Sequence, residues 1–144
     1  KGKITTLLSR SKKNRQLMSV SERSGKKAIT NYKTLKVFNY KNIPKISLIE
    51  CILETGRTHQ IRVHFAYKGN ALIGDKKYGR RKLEFRKIDT KFENILYGFD
   101  RQALHAKSLG FVHPKSGGFI SFDSKLPKFT VFKVFKIGIS MVVS

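Results

Sequence analysis

The chain has 144 residues, of which 40% are hydrophobic, so it is long enough for one globular domain with a core and too short for two. With 31 Lys and Arg against 9 Asp and Glu, the formal net charge is +22, an excess that calls for a polyanion, and a nucleic acid is the natural partner. The apolar runs are too short for a membrane span, and a single cysteine, Cys51, excludes an internal disulfide and fits a reducing compartment. No signal peptide is visible after Lys1, and we expect a segment of a longer, cytoplasmic protein.

The first third of the chain predicts a β-hairpin. The turn SERSGKK lies between QLMSV and KAITNYKTLKVF, and the latter alternates apolar and polar residues well enough for a strand. The residues before QLMSV are basic and rich in serine, and no element is predicted for them. The stretch Ile46–Leu53 predicts a further strand, apolar on both faces and therefore central in a sheet.

A short helix is predicted for Thr58–Tyr67. Thr58 can serve as its N-cap, Ile61 and Phe65 recur at a spacing of four residues, and a glycine follows as the stop signal. On this helix His59 and Arg62 share a face, while the two apolar residues point into the core.

The second half of the chain predicts strands and loops. GNALIGDKKYGRRKLEFRK is expected to be a loop with a small strand, and Arg80–Glu93 an exposed connection or insertion. ALHAKSLGF predicts a strand with a bulge in preference to a short helix, and FVHPKSGGFISF predicts a hairpin. The terminal FTVFKVFKIGISMVVS fits an edge strand and, equally, a helix packed on the sheet. Together these elements predict an α+β domain dominated by antiparallel strands.

Metal and nucleotide chemistry have no support in the sequence. The soft ligands do not fall in a CxxC or HxxxH spacing, so we expect no metal site and expect the histidines to be hydrogen-bonded structural residues. They are Cys51, His59, His64, His105 and His113. No GxxxxGK[ST], GxGxxG or GxSxG motif occurs, which argues against a phosphate loop and a serine nucleophile.

The remaining chemistry lies at the start of the predicted helix. Guanidinium forks and an amide at a helix N-terminus suit a phosphate or a carboxylate. The residues that offer these groups are Arg57, His59, Gln60 and Arg62. The alternative is a solvated, basic helix end that binds no ligand. Composition alone does not distinguish an anion-binding site from such a helix end.

These residues form part of a longer match. The stretch ETGRTHQIRVHFAYKGNALIGDKKYG closely resembles the signature of the RluA-like pseudouridine synthases, which isomerise uridine in rRNA and tRNA. GKKAITNYKTLKVF resembles the family's preceding segment, and RQALHAKSLGFVHPKSGGFISFDSKLP the following one. The segments RQALHA, FVHP and LP are most similar to those of the large-subunit rRNA branch of the family, the RluC and RluD type.

The resemblance implies a mixed, mostly antiparallel sheet with flanking helices, and a reaction without cofactor or metal. In the family a catalytic aspartate acts on a flipped-out nucleotide, the N1–C1′ bond breaks, the uracil turns, and a C5–C1′ bond forms. The second arginine of the signature, here Arg62, pairs with that aspartate. Physical chemistry agrees, because a buried carboxylate stays ionised only beside an opposite charge.

The same resemblance implies a set of residues that face RNA. Taking a base out of its stack costs a few kcal/mol, which contacts between phosphates and a basic surface offset. The residue beneath the target base corresponds to Leu104 or Leu109. The polar residues expected to face RNA are Arg57, His59, Gln60 and Arg62.

One family feature is missing. The catalytic aspartate lies in an H-R-L-D motif that does not occur here, and Asp75, in IGDKKYG, matches a different position that we expect to be structural. Asp89, Asp100 and Asp123 also lie in other contexts. We therefore expect residues 1–144 to be the C-terminal part of one catalytic domain whose N-terminal half, outside this chain, supplies the aspartate. We expect the isolated segment to aggregate or to remain partly disordered.

Two functions follow as hypotheses. The first is an RNA pseudouridine synthase acting on rRNA, most simply 23S, or on tRNA, with no membrane association. The second is an inactive, basic RNA-binding or ribosome-associated module derived from the same fold. A DNA-binding domain has charge alone in its favour, since no helix-turn-helix or zinc-finger pattern occurs.

Overall fold

A computed structural model describes residues 1–39, 46–79, 90, 101–125 and 141–143. Most of the predicted connection Arg80–Glu93, together with Asp89 and Asp100, lies outside these residues. The described part contains strands β1 (Gly2–Arg10), β2 (Met18–Ser21), β3 (Lys26–Phe38), β4 (Ile46–Leu53), β5 (Leu104–Ala106), β6 (Ser108–Val112), β7 (Phe119–Asp123) and β8 (Met141–Val143), and helix α1 (Gln60–Tyr67).

Six of these strands form one mixed sheet in the order β2-β1-β3-β4-β8-β5. The first four pair antiparallel, whereas β8 pairs parallel with both β4 and β5. The predicted mixed, mostly antiparallel α+β fold is confirmed, and so is the central position of β4. Of the terminal segment, the described residues Met141–Val143 are a strand between two others, so neither alternative, an edge strand or a packed helix, holds for this part.

The predicted first hairpin is wrong, because β2 and β3 do not pair with one another. Both pair with β1, on its opposite sides. The sequence signal for β1 is weak because its core-facing positions alternate between apolar and polar: Ile4 and Leu8 are buried, but Thr6 lies between them. The Thr6 hydroxyl is bonded to the buried His64 ring, so a polar residue fits a core-facing position.

The connection from β2 to β3 passes close against β1 at Gly25. This residue has a φ of 142°, which side chains rarely adopt, and a Cβ here would lie 2.6 Å from the Leu8 carbonyl oxygen. Only glycine fits this crossing.

The core lies between one face of the sheet and α1. One cluster unites Ile61 and Phe65 of the helix with Ile4 and Cys51 of the sheet and with Leu72. A second joins Val63 to Leu8 and Ala28. Burial, reinforced by Glu50, raises the pKa of the Cys51 thiol to about 12, so Cys51 is an inert core residue.

The second predicted hairpin is confirmed. Strands β6 and β7 pair antiparallel around a turn in which the His113 N–H donates to the Gly118 carbonyl at 2.9 Å. The predicted strand before it is divided at Lys107 into β5, which joins the main sheet, and β6. In the described part of the chain no helix is long and apolar enough to cross a membrane.

Candidate functional site

Helix α1 begins at Gln60, two residues later than predicted, and Thr58 is not its N-cap. The N-cap is His59, in the left-handed conformation with φ 56° and ψ 20°, and no side chain caps the helix. The Gln60 side chain instead holds the loop before the helix: its Oε1 accepts a hydrogen bond from the Arg57 N–H and another from the Thr55 hydroxyl, both at 2.9 Å. The loop before α1 is therefore held in place by the Gln60 side chain.

Gln60 is a structural residue of the interior. It is 2% exposed, and its amide donates to the Ile29 carbonyl at 2.9 Å and to Thr30 Oγ1 at 3.0 Å. The expectation that Gln60 faces RNA does not fit this position, because its oxygen and its amide group are used within the chain. It ties the loop before α1 to strand β3.

His64 continues the same hydrogen-bond network. Its Nδ1 lies 2.9 Å from Thr30 Oγ1, and its Nε2 lies 2.9 Å from Thr6 Oγ1. Thr30 Oγ1 also accepts from the Gln60 amide, so the network joins the His64 ring to both Thr30 and Gln60. Burial lowers the pKa of His64, which favours the neutral ring. His64 is thus the hydrogen-bonded structural histidine that was predicted.

Arg62 forms a buried two-point ion pair with Asp75. Its Nε donates to Oδ2 at 2.8 Å and its Nη2 donates to Oδ1 at 2.7 Å, while the two residues are 8% and 5% exposed. Both ions remain charged: hydrogen bonding to Asp75 raises the pKa of the arginine.

Asp75 is held by the loop that follows it. Burial alone would raise the pKa of its carboxyl, but hydrogen bonds from Arg62 and from the N–H groups of Tyr78 and Lys77 outweigh burial and lower it. The Gly79 N–H donates to the Asp75 carbonyl at 2.8 Å, and a Cβ on Gly79 would lie 2.4 Å from that oxygen. Asp75 thus has the structural role expected of it. It lies in a tight turn that directs both of its carboxylate oxygens towards Arg62.

Tyr78 joins this ion pair to His59. Its ring lies 4.9 Å from the Arg62 guanidinium carbon, within cation–π range. Its hydroxyl accepts from the Met18 N–H at 2.9 Å and lies 2.8 Å from His59 Nδ1. Burial, and then the positive charge of Arg62, lower the pKa of His59, so the ring is neutral beside the arginine at neutral pH.

One edge of the Arg62 guanidinium is open. An arginine has five N–H donors, and Asp75 takes one from Nε and one from Nη2. Within the described residues no fully enclosed side-chain nitrogen lacks a partner, so Nη1, which bonds to none of them, is not completely enclosed. Arg62 can therefore hold a second anion, a carboxylate or a phosphate, without losing Asp75.

The other predicted residues lie around this cluster. Arg57 is half-buried, and its Nε donates to the Lys27 carbonyl at 3.1 Å. Leu104 packs against the core cluster that contains Ile61, whereas Leu109 is exposed on the hairpin. In the described ranges no three His, Cys, Asp or Glu side chains come together as a metal site.

Sequence reasoning did not identify Tyr78 or the contact between Arg62 and Asp75. The available signal was DKKYG, in which an aspartate is followed by residues whose N–H groups can donate to its carboxylate and then by a glycine, as in a tight turn. That signal predicts the turn but does not say which cation the carboxylate contacts.

Comparison with known proteins gives consistent matches. A family model described as RNA pseudouridylate synthase matches residues 1–67. Ribosomal large subunit pseudouridine synthase D of Zymomonas mobilis is 44% identical over 128 residues, which are 88% of this chain and 37% of that protein. An uncharacterized RNA pseudouridine synthase of Bacillus subtilis is 46% identical over 127 residues, 88% of this chain and 36% of that protein. The chain spans little more than a third of the length of these curated relatives.

A solved structure shares the fold. Human RNA pseudouridylate synthase domain containing 1 superposes with a TM-score of 0.59 at 20% identity, covering 88% of this chain and 48% of that one.

Proposed function

We propose, because this chain belongs to the RluA-like family of RNA pseudouridine synthases, that it is the C-terminal part of a catalytic domain that isomerises uridine in RNA. The observation that carries the proposal is the 44% identity over 128 residues to a protein named as a ribosomal large subunit pseudouridine synthase. That name supports rRNA of the large subunit, most simply 23S, as the substrate. The cytoplasm is the proposed place of action.

Arg62 is the proposed catalytic residue within this chain. Asp75 fixes one edge of its guanidinium, and Nη1 has no hydrogen-bond partner among the described residues. A catalytic aspartate from outside this chain would fit there, since a buried carboxylate stays ionised only beside a fixed positive charge. Arginine suits this role because its planar fork serves two carboxylates at once and does not lose its proton.

The proposed reaction needs no cofactor, because the product is an isomer of the substrate. The uridine leaves its stack, the aspartate acts on it, the N1–C1′ bond breaks, the uracil turns, and a C5–C1′ bond forms. C5 then loses its proton and N1 gains one, so the product has the same atoms as the substrate. Flipping the base costs a few kcal/mol, which phosphate contacts offset. On the described surface Arg57 and His59 are the proposed RNA contacts beside Arg62, with Leu104 as the apolar neighbour of the base.

A second candidate function is favoured by one observation. Asp75 is the described carboxylate that contacts Arg62, and it already accepts four hydrogen bonds, from Arg62 Nε and Nη2 and from the N–H groups of Lys77 and Tyr78. A carboxylate so fully bonded is a poor nucleophile or base. An inactive module that binds RNA through the same surface is therefore the alternative if no further aspartate reaches Arg62.

The test compares the longest protein that the reading frame encodes with the 144-residue segment alone. Each is mixed with transcribed fragments of 23S rRNA, and pseudouridine is scored by chemical modification and primer extension. We expect conversion by the long protein and none by the segment. RNA binding by the long protein without conversion would replace the isomerase with the inactive module, and conversion by the segment would place the catalytic carboxylate within it.

A further inference from the structure

The connection between β1 and β2, residues Ser11–Leu17, is an ordered loop that carries cations and no acid. It is named the basic loop here. Its charged side chains, Lys12, Lys13 and Arg15, are all exposed. Four hydrogen bonds of 2.9 Å close it, from Ser11 N to Leu17 O, from Leu17 N to Asn14 O, from Gln16 N to Asn14 Oδ1, and from Arg10 Nη1 to Arg15 O. The backbone is fixed while the cationic side chains point to solvent.

The charges of the basic loop are not compensated within the described part of the chain. The ion pairs found there join Lys3 to Glu54, Arg62 to Asp75 and Lys107 to Glu50, and none of them involves the loop. The neighbouring turn adds further exposed cations, Arg23, Lys26 and Lys27, against one acid, Glu22. Cations held close together on a fixed loop repel one another, and an anion that bridges them relieves this repulsion.

The basic loop is also connected directly to the candidate site. Met18, the first residue after it, donates its N–H to the Tyr78 hydroxyl, and this hydroxyl contacts His59 Nδ1. The Tyr78 ring in turn lies 4.9 Å from the Arg62 guanidinium carbon. One continuous set of contacts thus sets the position of the loop relative to Arg62.

We propose that the basic loop binds the phosphate backbone of the substrate RNA and holds the strand beside Arg62. The proposal rests on the proposed function in taking RNA as the ligand. Lysine and arginine bind phosphate through charge and hydrogen bonds, and such contacts fix the register of a nucleic acid without reading its sequence. Each contact releases counterions, so the affinity depends on salt concentration.

The test uses the longest protein that the reading frame encodes and measures its affinity for fluorescently labelled single-stranded rRNA fragments over a range of salt concentrations. The variant K12Q/K13Q/R15Q removes the charges of the basic loop and keeps its exposed, polar character. Each lost phosphate contact lowers the slope of log K against log salt by about 0.7 for a single strand, so we expect a slope smaller by about 2 and an affinity at low salt about tenfold weaker or more.

The matched control removes the same number of positive charges from exposed lysines on other elements. It is K33Q/K68Q/K115Q, with substitutions on β3, after α1 and in the β6–β7 turn. It should retain nearly the wild-type affinity. A third variant, K12R/K13R/R15K, keeps the charges and should bind like the wild type.

Equal losses of affinity and slope in the loop variant and the control would overturn the proposal, because net charge alone would then explain binding. Failure of the charge-preserving variant to bind would also overturn it. Circular dichroism of each variant checks that the fold is retained, which is expected because the changed side chains are exposed. Pseudouridine formation is scored separately, so its absence in the wild type would refute the proposed function and leave the affinity comparison valid.

Discussion

The Arg62 guanidinium depends on Asp75 for both its position and its charge balance. In Asp75→Asn the amide cannot balance the buried arginine, and removing one partner of a buried pair costs about 3–5 kcal/mol. We expect that loss in the free energy of unfolding in urea, measured on the longest encoded protein. Asp123→Asn, at an exposed position that forms no ion pair with another described residue, is the control and should be nearly neutral. A loss below about 1 kcal/mol for Asp75→Asn would mean that solvent replaces the carboxylate.

His64 makes the stability of the fold depend on pH. Burial holds its pKa below the ordinary 6.5, so below that pH the unfolded chain binds a proton that the folded chain does not. The stability contribution is complete above pH 6.5 and falls as the pH drops towards the folded-state value, by up to about 1.4 kcal/mol per pH unit. Urea unfolding across this range should show the full dependence in the wild type and in the control His113→Gln, and a smaller one in His64→Gln, where only the contribution of His59 remains. Equal dependence in all three proteins would contradict a buried neutral ring.

Sequence reasoning at the residue scale identified the cation and not its partner. Arg62 stands in a recognisable motif, and Asp75 was expected to be structural, but their contact spans 13 residues and depends on how the turn at Gly79 closes. For Gln60 the expected contact differs from the observed one. As a polar side chain in a basic motif it was expected to face RNA, but its amide donates a hydrogen bond to a backbone carbonyl of β3.

At the scale of the elements, the crossing of the β2–β3 connection over β1 depends on Gly25. In Gly25→Ala the new Cβ would meet the Leu8 carbonyl at 2.6 Å at a φ of 142°, and such strain costs about 1–3 kcal/mol or more. Gly56→Ala is the matched control, because a Cβ there meets nothing within 4 Å. Thermal melting should show a lower midpoint for the first variant alone. Equal midpoints would mean that the crossing relaxes at no cost.

Elements with a regular apolar pattern were predicted from sequence, and elements with polar residues in core positions were not. β4 and the second hairpin follow their patterns. β1 was missed because Thr6 occupies a core-facing position that His64 satisfies, and helix α1 starts two residues later than predicted because His59 adopts the left-handed conformation.

At the scale of the whole molecule, the β6–β7 hairpin exposes apolar side chains on both faces. Within the described part of the chain its strands form a sheet of their own. Leu109, Phe111, Val112, Phe119 and Phe122 are all exposed, with Phe119 at 71%. Apolar patches of this kind favour association.

We therefore expect the isolated 144-residue segment to elute from gel filtration as concentration-dependent oligomers. Leu109→Thr with Phe119→Thr should shift it towards the monomer, because both side chains are exposed and their loss removes apolar surface without opening the core. Ile52→Thr, also at an exposed apolar position but on β4, is the control. A monomeric wild-type segment, or an equal shift in the control, would contradict an interface on this hairpin.

The claim that Arg62 serves RNA isomerisation is tested most directly by single-turnover pseudouridine formation. The longest encoded protein and its Arg62→Lys variant are compared at saturating RNA, with RNA affinity measured alongside. Lysine keeps the charge but cannot serve two carboxylates with a planar fork, so we expect binding to persist and the rate to fall by about a hundredfold. Equal rates in the two proteins, or no pseudouridine from the wild type, would contradict the account.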